Sequence, residues 1–235
     1  MGILLERIYV GQPKTVGERG AALPMDREWK SGIFKEPVEG PTWLAKTNLD
    51  GDGQADLKHH GGPEKAVFAY PSEHYLYWRK ELPDTKIFPG GMGENFSLIN
   101  QLESSVSIGD IYGIGDAVIQ VSQPRQPCWK PARRFKVKNL ALLLQNSGRT
   151  GWYYRVLKEG SIKAGQELVL VEQPYPQWTI EKCNRIMHVE KDNVEEARLL
   201  SQCEALSLNW RTTLAKRIEK GEAPDVRRRV IGPNE

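Results

Sequence analysis

Residues 117–131 read AVIQVSQPRQPCWKP, an apolar segment followed by a proline-rich one. The apolar residues of Ala117–Ser122 include several that are β-branched, which predicts a strand. Three prolines follow, and because proline fixes φ and lacks a backbone N–H, Gln123–Pro131 is predicted to be a rigid, non-helical loop. Cys128 lies in this loop between two basic residues, an environment that favours the thiolate and makes a cysteine nucleophilic or metal-ligating. The alternative is an ordinary, partly buried thiol.

Short strand-like segments also occur on both sides of this stretch. Clusters of Gly, Pro, Asn and Asp separate them about every ten residues, which is typical of a β-rich barrel or sandwich. The further segments are Ile8–Val10, Ala66–Tyr70, Val106–Ile108 and Glu167–Val171. Two helices are predicted within this region, Pro71–Leu82 and Leu140–Gln145. The apolar stripe of the first helix consists of Tyr75, Leu76, Trp78 and Leu82.

The character of the sequence changes after Val171. A linker with two prolines, Glu172–Trp178, leads into three predicted helices. Thr179, Asn193 and Ser207 are predicted to cap their N-termini, and Gly221 to end the last one. The apolar faces that we expect to be buried are Ile180, Cys183, Ile186 and Met187, then Leu199, Leu200, Cys203 and Leu206, then Trp210, Leu214 and Ile218. Two of the three cysteines therefore fall on core faces, where a structural role is expected.

The composition sets outer limits. The chain has 235 residues, of which 39% are hydrophobic and 27% charged, so it can form a core, and disorder, collagen and coiled coils are excluded. No apolar run approaches the ~20 residues that a membrane-spanning helix needs. The three cysteines fit neither a disulfide framework nor a zinc CxxC pair, and we expect a reducing, cytoplasmic location. Arg227–Arg229 is expected to be a solvated end.

The charge is unevenly distributed. Residues 1–116 carry 12 basic and 17 acidic side chains, whereas 117–158 carry nine basic and no acidic ones, and 159–235 carry 12 and 13. A stretch of 42 residues without a carboxylate favours binding of an anion. Nucleic acid is the less attractive ligand because no RNA- or DNA-binding motif is readable, so a small anionic ligand is expected. The alternative explanation for this stretch without carboxylates is chance combined with a need for solubility.

A second candidate region is LDGDGQADLKHHGGPEKAVFAY, Leu49–Tyr70. Its glycines allow close approach of the backbone to a ligand. Adjacent side chains diverge in an extended segment, so only one of His59 and His60 is expected to face a site. A metal site made by these histidines with Asp56 is the less favoured alternative, because zinc ligands are normally separated by two to five residues. The GEN sequence at 93–95 is weak evidence of anything beyond a tight turn. No nucleotide-binding or serine-hydrolase motif is readable, so these two functions have no support from the sequence.

These stretches together resemble a known family. LDGDGQAD, HHGGPEKAVFAYPSEHYLYW, GEN, QVSQPRQPCWKP and NSGRTGWYYRV occur in the order seen in MOSC-domain proteins, and the sequence is most similar to the YiiM-like branch. The resemblance implies a mainly β fold with α-helices: a barrel-like MOSC domain at 1–172, a three-helix domain at 179–221 and a tail at 222–235.

The resemblance also implies a ligand, molybdenum cofactor, with Cys128 as the protein ligand to the metal. Soft thiolate suits a metal that is already held by sulfur. By analogy, cofactor-binding roles fall on ten residues: Lys30, Ser31, His60, Gly61, Gly62, Asn95, Ser122, Arg125, Cys128 and Arg149. Trp152 and Tyr153 are further candidates for closing the pocket.

The activity implied by the resemblance is reduction of N-hydroxylated substrates, such as hydroxylaminopurine-type bases and hydroxylamines, from N–OH to N–H in a detoxification role. No flavin or iron–sulfur motif is readable, so a separate electron-donor reductase is expected as partner. A homodimer is implied, and neither a membrane nor a nucleic acid polymer is expected as partner. The alternatives are a carrier of molybdenum cofactor or of sulfur without turnover, and a plain thiol enzyme.

Overall fold

Seven strands close into a barrel, as described by a computed structural model that covers residues 2–221 and 225–235, with the side chain of Lys58 left out. Met1 and residues 222–224, which belong to the expected first domain and tail, lie outside the described residues. The strands in chain order are β1 Ile3–Val10, β2 Lys14–Val16, β3 Trp29–Ser31, β4 Glu36–Pro37, β5 Thr42–Leu44, β6 Val67–Pro71, β7 Phe96–Ile99, β8 Ile111–Ile114, β9 Ala117–Pro124, β10 Trp152–Lys158, β11 Gly160–Ile162 and β12 Glu167–Glu172.

The barrel runs in the order β12, β8, β9, β10, β6, β7, β1 and returns to β12. Ile3 on β1 is paired with Leu168 on β12, which closes it. All its pairs are antiparallel except β6 with β7. Bulky apolar residues fill the interior: Leu5, Phe96, Tyr112, Ile119, Trp152 and Tyr154. Closure leaves β4 as an added edge on β1 and confirms the mainly β prediction.

The helices are distributed between the barrel strands and the C-terminal part. Their bounds are α1 Leu57–His60, α2 Glu73–Glu81, α3 Trp129–Phe135, α4 Leu140–Ser147, α5 Ile180–His188, α6 Val194–Ser201, α7 Leu208–Lys220 and α8 Arg227–Val230. Short 3-10 helices cover Pro24–Asp26, Pro63–Lys65 and Gly232–Asn234. None of these helices, within the described parts of the chain, is long and apolar enough to cross a membrane.

The C-terminal three-helix domain confirms the predicted caps. The Thr179 hydroxyl accepts from the Lys182 N–H at 3.1 Å, and the Asn193 and Ser207 side chains cap α6 and α7 in the same way. Gly221 ends α7 in the left-handed conformation. Buried residues of all three helices form one continuous apolar core with the barrel, so the two units share an interface rather than a linker alone.

Three local predictions were wrong. Val106–Ile108 is not a strand but a single bridge from Ser107 to Thr179, because the chain turns at Gly109, where φ is +86°. Leu76 is 69% exposed, since α2 instead buries His74, Tyr75 and Trp78. Leu199 is likewise 46% exposed on α6.

Two further corrections concern the segment around Cys128. The predicted loop Gln123–Pro131 ends early, because α3 begins at Trp129 and its first turn accepts a proline, whose missing N–H has no helical partner there. The last residues are not a solvated end. Arg229 is half-buried, and the 3-10 helix at Gly232–Asn234 packs against α3.

Candidate functional site

A cleft opens at one end of the barrel, with Cys128 in its lining. Its cavity volume is about 80 Å³, and the empty space reaches about 590 Å³ when the adjoining open solvent is included. Its walls come from residues 31–35, residues 52–55, the end of α1, and the loop from β9 into α3. The charged side chains that line it are Lys35, Asp52, Lys65, Arg125 and Lys130. Four cationic groups against one carboxylate make this lining suitable for an anion.

Cys128 is placed by the junction of a strand and a helix. β9 ends at Pro124, and Cys128 then takes the N-cap position of α3 in an extended conformation, with φ −118° and ψ 171°. The residue is 8% exposed and is part of the cleft lining. A strand end and a helix start therefore hold the thiol at a defined point of the cleft wall.

The neighbours of Cys128 set its protonation state. Burial by itself raises the pKa of the thiol, but the His60 ring and the Arg125 guanidinium favour the thiolate more strongly. The pKa of Cys128 is lowered from 9.0 to about 6. The thiol is therefore mainly ionised at neutral pH, which is the form that attacks electrophiles and binds soft metals.

The two adjacent histidines have separate environments. His59 points outwards, where its Nδ1 lies 2.8 Å from the Asp56 carboxylate. His60 lines the cleft beside Cys128. The four-residue helix α1 divides the pair, since consecutive side chains on a helix point in different directions. Residues 2–221 and 225–235 contain no group of three or more His, Cys, Asp or Glu side chains arranged to hold a metal ion.

Arg125 brings a buried positive charge to the cleft. Its guanidinium stacks over the Phe68 ring at 4.7 Å, and Nη2 donates to the Met92 carbonyl at 3.3 Å. The other terminal nitrogen, Nη1, is buried and has no hydrogen-bond partner. Because an unpaired buried charged donor is costly, this atom is a candidate to bind an oxygen of a ligand.

A hydrogen-bonded hub around Asp52 also lines the cleft. The Asp52 carboxylate forms a buried ion pair with Lys35 and accepts from the Asn95 side chain at 3.0 Å. Gly11 and Gln54 donate to it as well, so its oxygens are well satisfied. Burial lowers the pKa of Lys35, although the Asp52 carboxylate opposes that shift. The hub holds one ammonium group rigidly at the cleft.

The structure places five of the ten expected site residues in the cleft lining: Ser31, His60, Asn95, Arg125 and Cys128. Asn95 is committed to structure, since its Oδ1 accepts from Phe68 N and its Nδ2 donates to Tyr9 O and to Asp52. Ser31 is buried, and its hydroxyl accepts from the Ile33 N–H at 3.1 Å.

The other five expected residues lie outside the lining: Lys30, Gly61, Gly62, Ser122 and Arg149. Side chains alternate along β3, so Lys30 is exposed while Ser31 points inwards. The Ser122 hydroxyl donates to backbone carbonyls within the fold. Arg149 stacks on Tyr77 at 3.8 Å and lines a separate groove. Trp152 belongs to the barrel core, whereas Tyr153 does line the cleft.

Sequence reasoning missed three charged residues of the lining, Lys35, Asp52 and Lys65. Asp52 and Lys65 stood within the stretch already singled out, 49–70, whereas Lys35 follows the named Lys30 and Ser31 by a few residues. The signal available for Lys35 was its place in an otherwise apolar and glycine-containing segment, GIFK. Its partner Asp52 is 17 positions away, so the pair itself was not visible from local spacing.

Comparisons with known proteins agree with this architecture. A family model described as MOSC domain matches residues 56–169, and another described as YiiM-like, 3-alpha helix domain matches residues 178–221. The chain is 41% identical to Protein YiiM of Escherichia coli (strain K12), with 86% of this chain and 91% of that protein covered. The crystal structure of YiiM from Geobacillus stearothermophilus is 36% identical, with a TM-score of 0.77, and the match covers 92% of this chain and 99% of that one.

One further relative has a different length. A protein of Gibberella moniliformis (strain M3125 / FGSC 7600) named Reductase is 38% identical over 77% of this chain. The match covers only 32% of that fungal protein. The similarity therefore concerns one part of a much longer protein.

Proposed function

Because this chain belongs to the MOSC-domain family, in its YiiM-like branch, we propose that it is a molybdenum cofactor-dependent reductase that converts N–OH to N–H in N-hydroxylated substrates. MOSC domains are associated in general with binding of the molybdenum cofactor. The observation that carries the proposal is the position of the Cys128 thiol, which lines the cleft together with His60 and with the unpartnered guanidinium nitrogen of Arg125.

The residues present fit this cofactor, a pterin dithiolene with a phosphate. Thiolate is a soft ligand, and Cys128 would hold the molybdenum. The Nη1 atom of Arg125 lacks a partner and would take an anionic oxygen of the cofactor, with Lys65 and Lys130 adding positive charge around it. Asp52, the carboxylate in the cleft lining, is paired with Lys35, so it would not repel an anionic ligand as a free carboxylate would.

The protein supplies binding, orientation and exclusion of water, while the cofactor when bound supplies the two-electron redox chemistry. Reduction of N–OH to N–H consumes two electrons and two protons and releases water. His60 lies beside Cys128 in the cleft lining, where it can pass protons to a bound substrate. Phe68, Met92 and Tyr153 form an apolar wall that suits a flat base or a small hydroxylamine.

The electrons are proposed to come from a separate reductase. The fungal relative named Reductase is about three times as long as the segment that matches this chain, so in that protein the matching segment is joined to further parts. A homodimer, a cytoplasmic location and a role in detoxification of N-hydroxylated bases complete the proposal.

Metal analysis of the purified protein, together with pterin fluorescence after oxidation, tests the proposal directly. We expect close to one molybdenum and one pterin per chain, and reduction of N-hydroxylaminopurine when a chemical reductant is added. Molybdenum and pterin without any turnover would instead favour a cofactor carrier. Protein that takes up neither, when expressed with ample molybdate, would refute both functions.

A further inference from the structure

The C-terminal segment, residues 225–235, lies outside both matched family models and packs against the helix that begins after Cys128. Asn234 is 3% exposed, its Oδ1 accepts from Arg133 Nε at 2.8 Å, and its Nδ2 donates to the Trp129 carbonyl at 3.1 Å. A side chain at Gly232 would place its Cβ only 2.2 Å from the Trp129 ring. The segment therefore supports α3 through close backbone contact.

Arg229 on α8 connects this segment to the residue before Cys128. Its Nη1 donates to the Pro127 carbonyl, and its Nη2 donates to Gln145 Oε1 at 2.7 Å. Gln145 is a buried residue of α4. One planar guanidinium thus links the peptide that precedes Cys128 to a separate helix, and such two-acceptor contacts are specific to arginine.

The three consecutive arginines of α8 have different environments. Arg227 and Arg228 are exposed, and Arg227 lies 3.4 Å from the Glu235 carboxylate. Arg229 is half-buried and close enough to Cys128 for a favourable charge interaction. Burial lowers the pKa of Arg229 to about 10, so it remains charged at neutral pH. Arg228 is therefore a matched control for Arg229.

We infer that Arg229 is a positioning residue for Cys128: its guanidinium bridges Pro127 and Gln145 and so fixes the direction in which Sγ enters the cleft. The bridge acts on the peptide bond immediately before the cysteine, where a small rotation moves the sulfur. The inference rests on the proposed function in one respect: the reason for fixing Cys128 is that a metal ligand must be held in a defined geometry. The bridge itself does not depend on a bound cofactor.

Amide hydrogen exchange of the cofactor-free full chain tests the bridge. In Arg229→Met, the peptide covering residues 125–132 should exchange ~10-fold faster, which corresponds to about 1.4 kcal/mol, while Arg228→Met leaves it unchanged. Gln145→Met keeps Arg229 but removes one acceptor, and should show a smaller increase in the same peptide. Unchanged exchange at 125–132, or an equal increase throughout the barrel, would overturn the inference.

The pH profile of Cys128 alkylation separates positioning from a general loss of stability. Arg229→Met should move the midpoint to higher pH, because a nearby positive charge is lost. Arg229→Lys should restore the midpoint but not the slow exchange, since a lysine ammonium cannot replace the guanidinium fork. A lysine variant that restores slow exchange would show that charge alone is responsible and would refute the bridge.

In the holoprotein, Arg229→Met should retain several-fold less molybdenum after gel filtration than Arg228→Met does. A wild-type protein without any molybdenum would refute the proposed function and leave the exchange result intact. Normal molybdenum retention in Arg229→Met, combined with normal exchange at 125–132, would refute the positioning role and leave the proposed function intact.

Discussion

The cleft and the three-helix domain contain the same side chain in two opposite chemical states. Cys128, Cys183 and Cys203 are 8%, 0% and 5% exposed, so burial does not distinguish them. Burial raises the pKa of Cys183 on α5 and of Cys203, which follows the end of α6. Cys128 has a lowered pKa because His60 and Arg125 lie beside it. The neighbouring side chains, rather than the degree of burial, therefore decide which of the three thiols is ionised and reactive.

The largest expected effect comes from Cys128→Ser. Molybdenum content and N-hydroxylaminopurine reduction should both fall below detection, because a hydroxyl is a poor ligand for a soft metal. The free energy of unfolding should change by no more than about 1 kcal/mol. Metal analysis and denaturant unfolding measure the two. Full activity in this variant would refute the ligand assignment.

A smaller effect is expected at the guanidinium that faces the cleft. Arg125→Ala should weaken cofactor binding by ~10- to 100-fold, the range for loss of a charge-assisted hydrogen bond. Arg228→Ala, which removes an exposed charge from α8, is the control and should bind normally. Cofactor dissociation followed by pterin fluorescence measures both. Equal effects of the two substitutions would mean that overall charge, not this position, matters.

The contrast between the thiols can be measured by alkylation with iodoacetamide. Thiolate is the reactive form, so labelling of Cys128 in the cofactor-free protein should be constant above about pH 6 and fall tenfold per unit below it. Cys183 and Cys203 should remain unlabelled at pH 7. His60→Gln should move the Cys128 midpoint upwards by about 1–3 units. A wild-type midpoint near 9 would contradict the assigned neighbours.

Cys183→Ser should act on stability alone. It places a hydroxyl in the apolar core shared by α5 and the barrel, which costs about 1–3 kcal/mol of unfolding free energy. Molybdenum content should be unchanged. Denaturant unfolding measures the loss, and a drop in molybdenum content at unchanged stability would show that this cysteine has a role in the site.

The smallest effect is expected at the start of α5. Thr179→Ala removes the cap on the Lys182 N–H and should lower the unfolding free energy by about 1 kcal/mol. Thr212→Ala, on an exposed position within α7, is the control and should change it by less than about 0.5 kcal/mol. Equal losses in both variants would show that the cap contributes nothing.

Features set by neighbouring residues were predictable from the sequence. The caps of α5, α6 and α7 depend on residues three positions apart, and all three were confirmed. Cys128 stood out because its loop carries prolines and basic residues within a few positions. The spacing of short strands and turns predicted a β-rich barrel or sandwich, and the family resemblance was needed to choose the barrel.

Features that depend on distant parts of the chain were not predictable. Lys35 meets Asp52 because the tertiary fold brings two separate segments of the chain together. Arg229 reaches the Pro127 carbonyl 102 positions away, and three adjacent arginines gave no sign that one of them turns inwards. Lys30 was expected in the site but lies outside the cleft lining. The sequence could not show which side chains of β3 point inwards, because that depends on which face of the strand the rest of the fold covers.

The pairing of β1 with β12 has a consequence for biosynthesis. The barrel closes where Ile3 pairs with Leu168, a residue that is synthesised some 165 residues later. During translation the growing chain therefore carries two open strand edges, and contacts of such high sequence separation slow folding. The ribosome must release most of the polypeptide before the pocket has all its walls, so delivery of any cofactor has to follow synthesis of the barrel rather than accompany it.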